Sequence, residues 1–379
     1  MLTVLGSALA LAGCGGGGGD GTNTAGTTGS SASGAITGFG SIIVGGVRFD
    51  DSAARVQDDD GDDLKSDALK LGMVVRIKCG KKTDDGVSVR AKANSIEVHS
   101  ELQGPIESKA ADLSSMVVLG QTVKISASTY FEEGLTAAAL AVSDVVEVHG
   151  FVDPVAKTIT ATRIERKLQP KVYKLQGAVS DLNPTTFKIG TLTINYAKAI
   201  VPSSLKLANG AVVRVRLETT PVNGTWTALK VKKFEIEQED GNEAKVEGII
   251  TVFTSTALFS VNGLPVNASA IVVPAGVKLG ARVEVEGSIV NGVLVAKKVE
   301  LEDGEKADKF ELHGTPTPGS LDTVAKTFVL RGVKVNYGTA TFTNGATATS
   351  LSIVNVKLEV KGVLTADNVI RATRISIER

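Results

Sequence analysis

The sequence is short of the groups that usually carry enzyme chemistry. Its 379 residues include three histidines and two cysteines. Cys14 lies at the end of the first apolar stretch, so Cys79 stands alone in the remainder and no disulfide framework can brace it. There is no His-Glu-x-x-His or Cys-x-x-Cys spacing, and nothing resembles a nucleophile elbow. No catalytic residue is therefore assigned, the chain is not expected to be an enzyme, and no cofactor is implied. Net charge is also lacking: Lys plus Arg and Asp plus Glu number 41 each. A nucleic-acid partner is not expected, because such proteins need basic surfaces and stacking aromatics, and one Trp and four Tyr serve the whole chain. The basic runs 163–174 and 230–233 are short and read as solvated strand faces and linkers.

What is present favours strands. Val, Ile, Leu and Ala dominate the apolar residues, and Thr and Gly are abundant, a composition suited to strands and turns. Cys79 ends the apolar stretch Val74-Val75-Arg76-Ile77-Lys78-Cys79 and is expected to be a buried structural thiol.

The first residues form an apolar run from Leu2 to Ala12, too short to span a bilayer as a helix and suited to the core of a secretory signal. It closes in Leu11-Ala12-Gly13-Cys14, which resembles the bacterial lipobox. That resemblance implies a signal peptide at 1–13 and diacylglyceryl transfer to the Cys14 thiol. Cleavage before Cys14 and acylation (palmitate or a similar chain) of the new amine would follow. No Lys or Arg precedes the run, so the translation start is expected upstream of Met1. Residues 14–34 are almost wholly Gly, Ser, Thr, Ala and Asn and are expected to form a disordered tether. Two or more acyl chains would anchor the protein stably. Gly15, rather than Asp, after the cysteine favours the outer membrane of the cell envelope, so membrane contact through lipid is the first expected partnership.

The rest of the chain repeats itself. Ala-x-x-(Ile/Val) occurs at Ala93, Ala161, Ala228, Ala296 and Ala372, at intervals of 68, 67, 68 and 76 residues. An alternating Val-rich stretch precedes it, as in Val283-Glu284-Val285-Glu286, and an opening (Leu/Val)-x-Gly element recurs at Gly104, Gly177, Gly248 and Gly314. Five β repeats follow, at 35–101, 102–168, 174–238, 245–302 and 309–379. In the second, strands are expected to begin near Leu102, Met116, Thr122, Asp144 and Thr158. Hairpin turns are expected at Gly120-Gln121, Asn262-Gly263 and Asn291-Gly292. Ala161 and Ile164 fall out of step for period two, which predicts a bulge. Only short stretches such as 132–142 and 67–71 could turn helical. The fold class is all-β: a tandem array of about five small five-stranded domains, each an OB-like barrel or a small sandwich. Closure removes sticky edges and favours the barrel. Short charged linkers at 167–174, 237–243 and 302–308 suggest a beaded rod of limited flexibility.

The repeat resembles a bacterial family known as domain of unknown function 5666. In the first unit the resemblance is carried by 38–49, from Gly38-Phe39-Gly40 to Val47-Arg48-Phe49. In the second it is carried by 118–123, Ser128-Thr129, Gly150-Phe151-Val152-Asp153 and 161–165. It weakens in units three to five. It implies an exported lipoprotein and no assigned chemistry.

Two features could bear ligands. Of the three histidines, His99, His149 and His313, the last two occupy equivalent strand-end positions before a glycine, and this repetition marks them as exposed strand residues rather than metal ligands. The run Asp58-Asp59-Asp60-Gly61-Asp62-Asp63 suits either a solvated acidic hairpin or a weak calcium loop through Asp58, Asp60 and Asp62, although Val56 occupies the first ligand position of such a loop. On these grounds the expected function is a non-catalytic, lipid-anchored scaffold or binding protein of the envelope, with a protein or glycan partner. The alternatives are an OB-like ligand- or nucleic-acid-binding module and a weak calcium-binding envelope protein.

Overall fold

The computed structural model describes residues 30–84, 88–132, 134–153, 156–234, 242–302, 309–353, 355–365 and 367–378. Among them the only helical elements are two short 3-10 turns, Ser66–Ala68 and Ala348–Ser352. Residues 134–142, part of the stretch that could have turned helical, form turns and irregular backbone. No described helix is long and apolar enough to cross a membrane.

Each unit is a five-stranded barrel in which strand one pairs with two, two with three, three in parallel with five, five with four, and four with one. Unit two shows it plainly with Leu102–Lys109, Ser115–Val118, Gln121–Lys124, Val145–Asp153 and Thr158–Arg166. These starts agree with the sequence pattern to within one residue. Units one, three and four close in the same order. Unit five closes through a single bridge between Pro316 and Leu330. This strand order is that of an OB-like barrel.

The repeated motifs now have physical reasons. In every unit the register between strands four and five slips by one residue just after the repeated alanine. The extra residue is Asn94, Thr162, Leu229, Lys297 or Thr373. It lets both the alanine and the Ile or Val three positions on face the core, where all ten are buried. Opposite the slip sits Gly150, Gly287 or Gly362, where a Cβ would collide with the carbonyl oxygen of Thr160, Val295 or Arg371. The opening glycine answers to a different neighbour: a Cβ on Gly104 would collide with Leu119, and one on Gly248 with Asn262. Both neighbours are hairpin residues with positive φ. The first hairpin of unit two turns on Leu119-Gly120, one residue before the expected position.

Two expectations are corrected. Ser30–Gly34 is not tether: Ser30–Phe39 is the first strand of unit one and pairs with Val74–Cys79. Nor are the units beads on a rod. Ser30–Ser33 also pairs in parallel with Glu243–Val246 of unit four, and Gly38-Phe39 with Glu311-Leu312 of unit five. The Ser, Ala and Gly residues that read as linker composition are the small side chains that let three units share one strand. Gly34 lies against Glu247, and Gly38 against the Glu311 carbonyl. Units two and three share a second sheet through Leu102-Gln103 and Lys174-Leu175. A small apolar junction of Ala35, Val74, Phe151 and Ile249 joins units one, two and four. The 237–243 and 302–308 linkers lie mostly outside the described residues, as does Cys14.

Candidate functional site: a charged cleft between units

Packing the barrels together leaves open clefts among the described residues, two of them large. The larger, about 930 Å³, lies among units one, two, three and five; the other, about 670 Å³, lies among units one, four and five. Period two builds the floor of the first. On strand four of unit two, Val146 and Val148 face the core, which turns Glu147 and His149 outward. On strand five the register slip restores the same phase, so Ile164 points in while Arg163 and Glu165 point out. His149 stands opposite Arg163, and Glu147 opposite Glu165.

Two carboxylates side by side would repel. Lys167 resolves this, with Nζ 2.6 Å from Glu147 and 2.7 Å from Glu165. Burial works to raise the Glu165 pKa, but Arg163 and Lys167 prevail and bring it down to about 2. Arg163 also donates to the Leu71 carbonyl of unit one at 3.0 Å, and its guanidinium lies 5.3 Å from the centre of the Tyr130 ring.

The histidines are buried, not exposed, and His149 and His313 are not equivalent: one lies on strand four of its unit, the other on strand one. Contacts between units enclose them. His149 Nδ1–H donates to the His99 carbonyl at 2.6 Å. His99 Nδ1 accepts from Arg214 Nη1 at 3.0 Å. Burial, with Arg214 and Arg76 adding to it, holds His99 well below the ordinary histidine pKa. Burial also lowers His149, against the pull of Glu147 and Glu165. His313 donates Nε2–H to Glu311 at 2.7 Å, and Glu311 also meets Arg48 and Lys361. Glu101, next to His99, is pushed up to about 7 by burial.

The acidic hairpin is solvated only in part: Gly61, Asp62 and Asp63 are exposed, whereas Asp58, Asp59 and Asp60 are half-buried. Asp58 Oδ1 accepts from the N–H groups of Asp60 and Asp62 at 2.9 Å. Asp59 pairs with Arg214 at 2.7 Å and Lys174 at 3.3 Å, and Asp60 with Arg216 and Lys232 at 3.4 Å. The carboxylates of Asp58, Asp59 and Asp60 come within 4.8 Å of one another, without Asp62. Basic side chains of unit three already supply the positive charge that calcium would bring. This also corrects the reading of 163–174 and 230–233 as solvated: Arg163, Lys167, Lys174 and Lys232 are tied into contacts between elements.

A family model for the domain of unknown function DUF5666 matches residues 103–165, 176–232, 247–300 and 319–376. The chain belongs to the DUF5666 family. Curated proteins gave no match. The matched spans fall in units two to five, whereas the sequence resemblance looked stronger in units one and two than in the last three. Unit one differs from units two and five in that Arg55–Asp58, which pairs in parallel with strand five as Tyr130–Phe131 and Thr341–Thr343 do, is extended into a hairpin with Asp63–Leu64. It also carries Cys79 where units two, four and five carry glycine opposite the slip. Cys79 itself is buried, 3.2 Å from the Ser30 carbonyl, as its sequence setting implied.

Sequence reasoning did not single out Glu101, Glu147, Glu165 or Arg214. Alternation placed Glu147 outward; nothing local shows that unit three covers that face.

Proposed function

We propose that this DUF5666 chain is a lipid-anchored, non-catalytic binding protein of the bacterial cell envelope, fixed through Cys14. The observation that carries the non-catalytic part is the state of the histidines. All three are buried, and none bonds a Ser, Thr or Cys side chain among the described residues; one ring nitrogen of each is committed to a backbone carbonyl, an arginine or a carboxylate, and the other meets no nucleophile. A general base needs to reach a nucleophile or substrate proton. The clefts between units, lined by fixed charges, are what a binding protein would offer to a partner. Ligand binding on an OB-like unit through nucleic-acid stacking is disfavoured, because every Trp, Tyr and Phe is buried or half-buried and stacking needs presented rings.

The anchoring part rests on Leu11-Ala12-Gly13-Cys14 and is tested by expressing the chain behind a full lipoprotein leader ending at Gly13. With an alkyne-palmitate label, the wild type is expected to incorporate label and sediment with outer membranes, and Cys14→Ser to do neither. An unlabelled wild type would contradict the reading.

A further inference from the structure

We infer that the cleft among units one, two, three and five binds a ligand carrying several oxyanions, such as closely spaced phosphate, sulfate or carboxylate groups. This deepens the binding-protein reading and rests on it. The chain as a whole is neutral, but this cleft is not: eight Lys and Arg side chains line it against four carboxylates. Those four carboxylates are already satisfied. Lys167 bridges Glu147 and Glu165, Asp58 accepts two backbone N–H groups, and Glu132 accepts the Arg166 N–H.

The surplus charge sits at the rim. Lys70 of unit one, Lys171 of the linker between units two and three, and Arg331 of unit five are exposed. None has a carboxylate partner among the described residues; Arg331 donates only to the His313 carbonyl. Three unpaired cations on three different segments face one opening, a layout that concentrates field in a low-dielectric recess. The volume, about 930 Å³, is at the upper end for small-ligand sites, so a short oligomer fits better than a single ion. Guanidinium and ammonium groups together suit phosphate, sulfate or carboxylate oxygens. Such groups could arrive on a free oligophosphate or on a saccharide.

The test is calorimetric titration of the full chain with tripolyphosphate, with a heparin-derived tetrasaccharide and with a short oligothymidylate. The expected result is saturable binding of tripolyphosphate or tetrasaccharide that weakens by about tenfold from low to high salt. The stronger of the two identifies the source. The double variant Lys70→Ser with Lys171→Ser is expected to weaken it by about tenfold or more, while Lys198→Ser with Lys206→Ser, exposed cations of unit three, leaves it unchanged. Because Lys70 and Lys171 are exposed and unpaired, an unchanged melting temperature will show that the variant folds. Absence of binding by both anions, equal binding by the double variant, or tighter binding of the oligothymidylate would overturn the assignment. Release of orthophosphate from bound tripolyphosphate would instead refute the non-catalytic reading while leaving the site in place.

Discussion

Arg214 Nη1 donates to Asp59 Oδ2 across 2.7 Å, joining side chains 155 positions apart in the chain. Asp59 comes from the hairpin that sets unit one apart, and Arg214 from strand four of unit three. Both side chains are largely enclosed, at 6% and 15% exposure. Removing one member of such a pair leaves an uncompensated charge. Asp59→Asn is expected to destabilise the protein by about 2–4 kcal/mol, less than a fully buried pair would because Lys174 and Arg214 keep some solvent contact. Urea denaturation of Asp59→Asn, Arg214→Gln and the double variant checks this. The double variant should recover part of the loss, and strictly additive losses would argue against direct coupling.

Stability is expected to depend on pH in two opposed ways. Glu101 is raised to about 7 from 4.5 by burial, so the folded state holds a proton that the unfolded chain has released. Its contribution is complete below about pH 4.5 and is lost as pH rises through about 7. Glu101→Gln should therefore match the wild type near pH 5 and exceed it near pH 8, by on the order of 1–3 kcal/mol. His99 and His149 act the other way: their folded pKa values are lowered, so stability falls as pH drops below the ordinary histidine value. Denaturation profiles from pH 5 to 9 for wild type and Glu101→Gln decide the first limb. An unchanged alkaline limb would show that Glu101 is not held protonated.

The register slip makes a sharper packing prediction. A Cβ on Gly287 would collide with the Val295 carbonyl, a backbone atom that cannot rotate away. Gly287→Ala is expected to cost about 1–3 kcal/mol. Unit three holds Leu217 at the same place, so Leu217→Ala should show only the loss of a buried side chain, about 2–4 kcal/mol. Hydrogen exchange would place the Gly287→Ala effect in strands four and five of unit four.

Much of each barrel is legible in the sequence. The alanine spacing counts five units, and the mismatch between Ala161 and Ile164 points to the slip that the structure shows. The association of units is not legible, because it depends on outward faces. Ser30–Gly34 has the composition of a tether, yet small side chains are also what a strand needs when it pairs with neighbours on both edges. The run 58–63 and the cations Lys174, Arg214 and Lys232 look solvated one at a time; only folding brings them together. His149 follows an alternating pattern that marks it as outward, and the neighbouring unit then encloses it.

The Cys79 thiol offers a simple check on unit one. Burial pushes it up to about 11, so thiolate is scarce near neutrality. Iodoacetamide should leave it intact in the native protein and modify it in denaturant. Rapid native alkylation would mean that strand one of unit one is not docked over it.

The shared strands and clefts exist only if the units close around one another. Small-angle X-ray scattering of the Cys14→Ser chain measures that directly. A compact body of this length has a radius of gyration of about 21 Å, and a flexible leading segment adds a few ångströms, whereas five such barrels in line give about 35 Å or more. A value in the low twenties is predicted. A value above about 30 Å, with a rod-like distance distribution, would contradict the shared strands and the clefts they create.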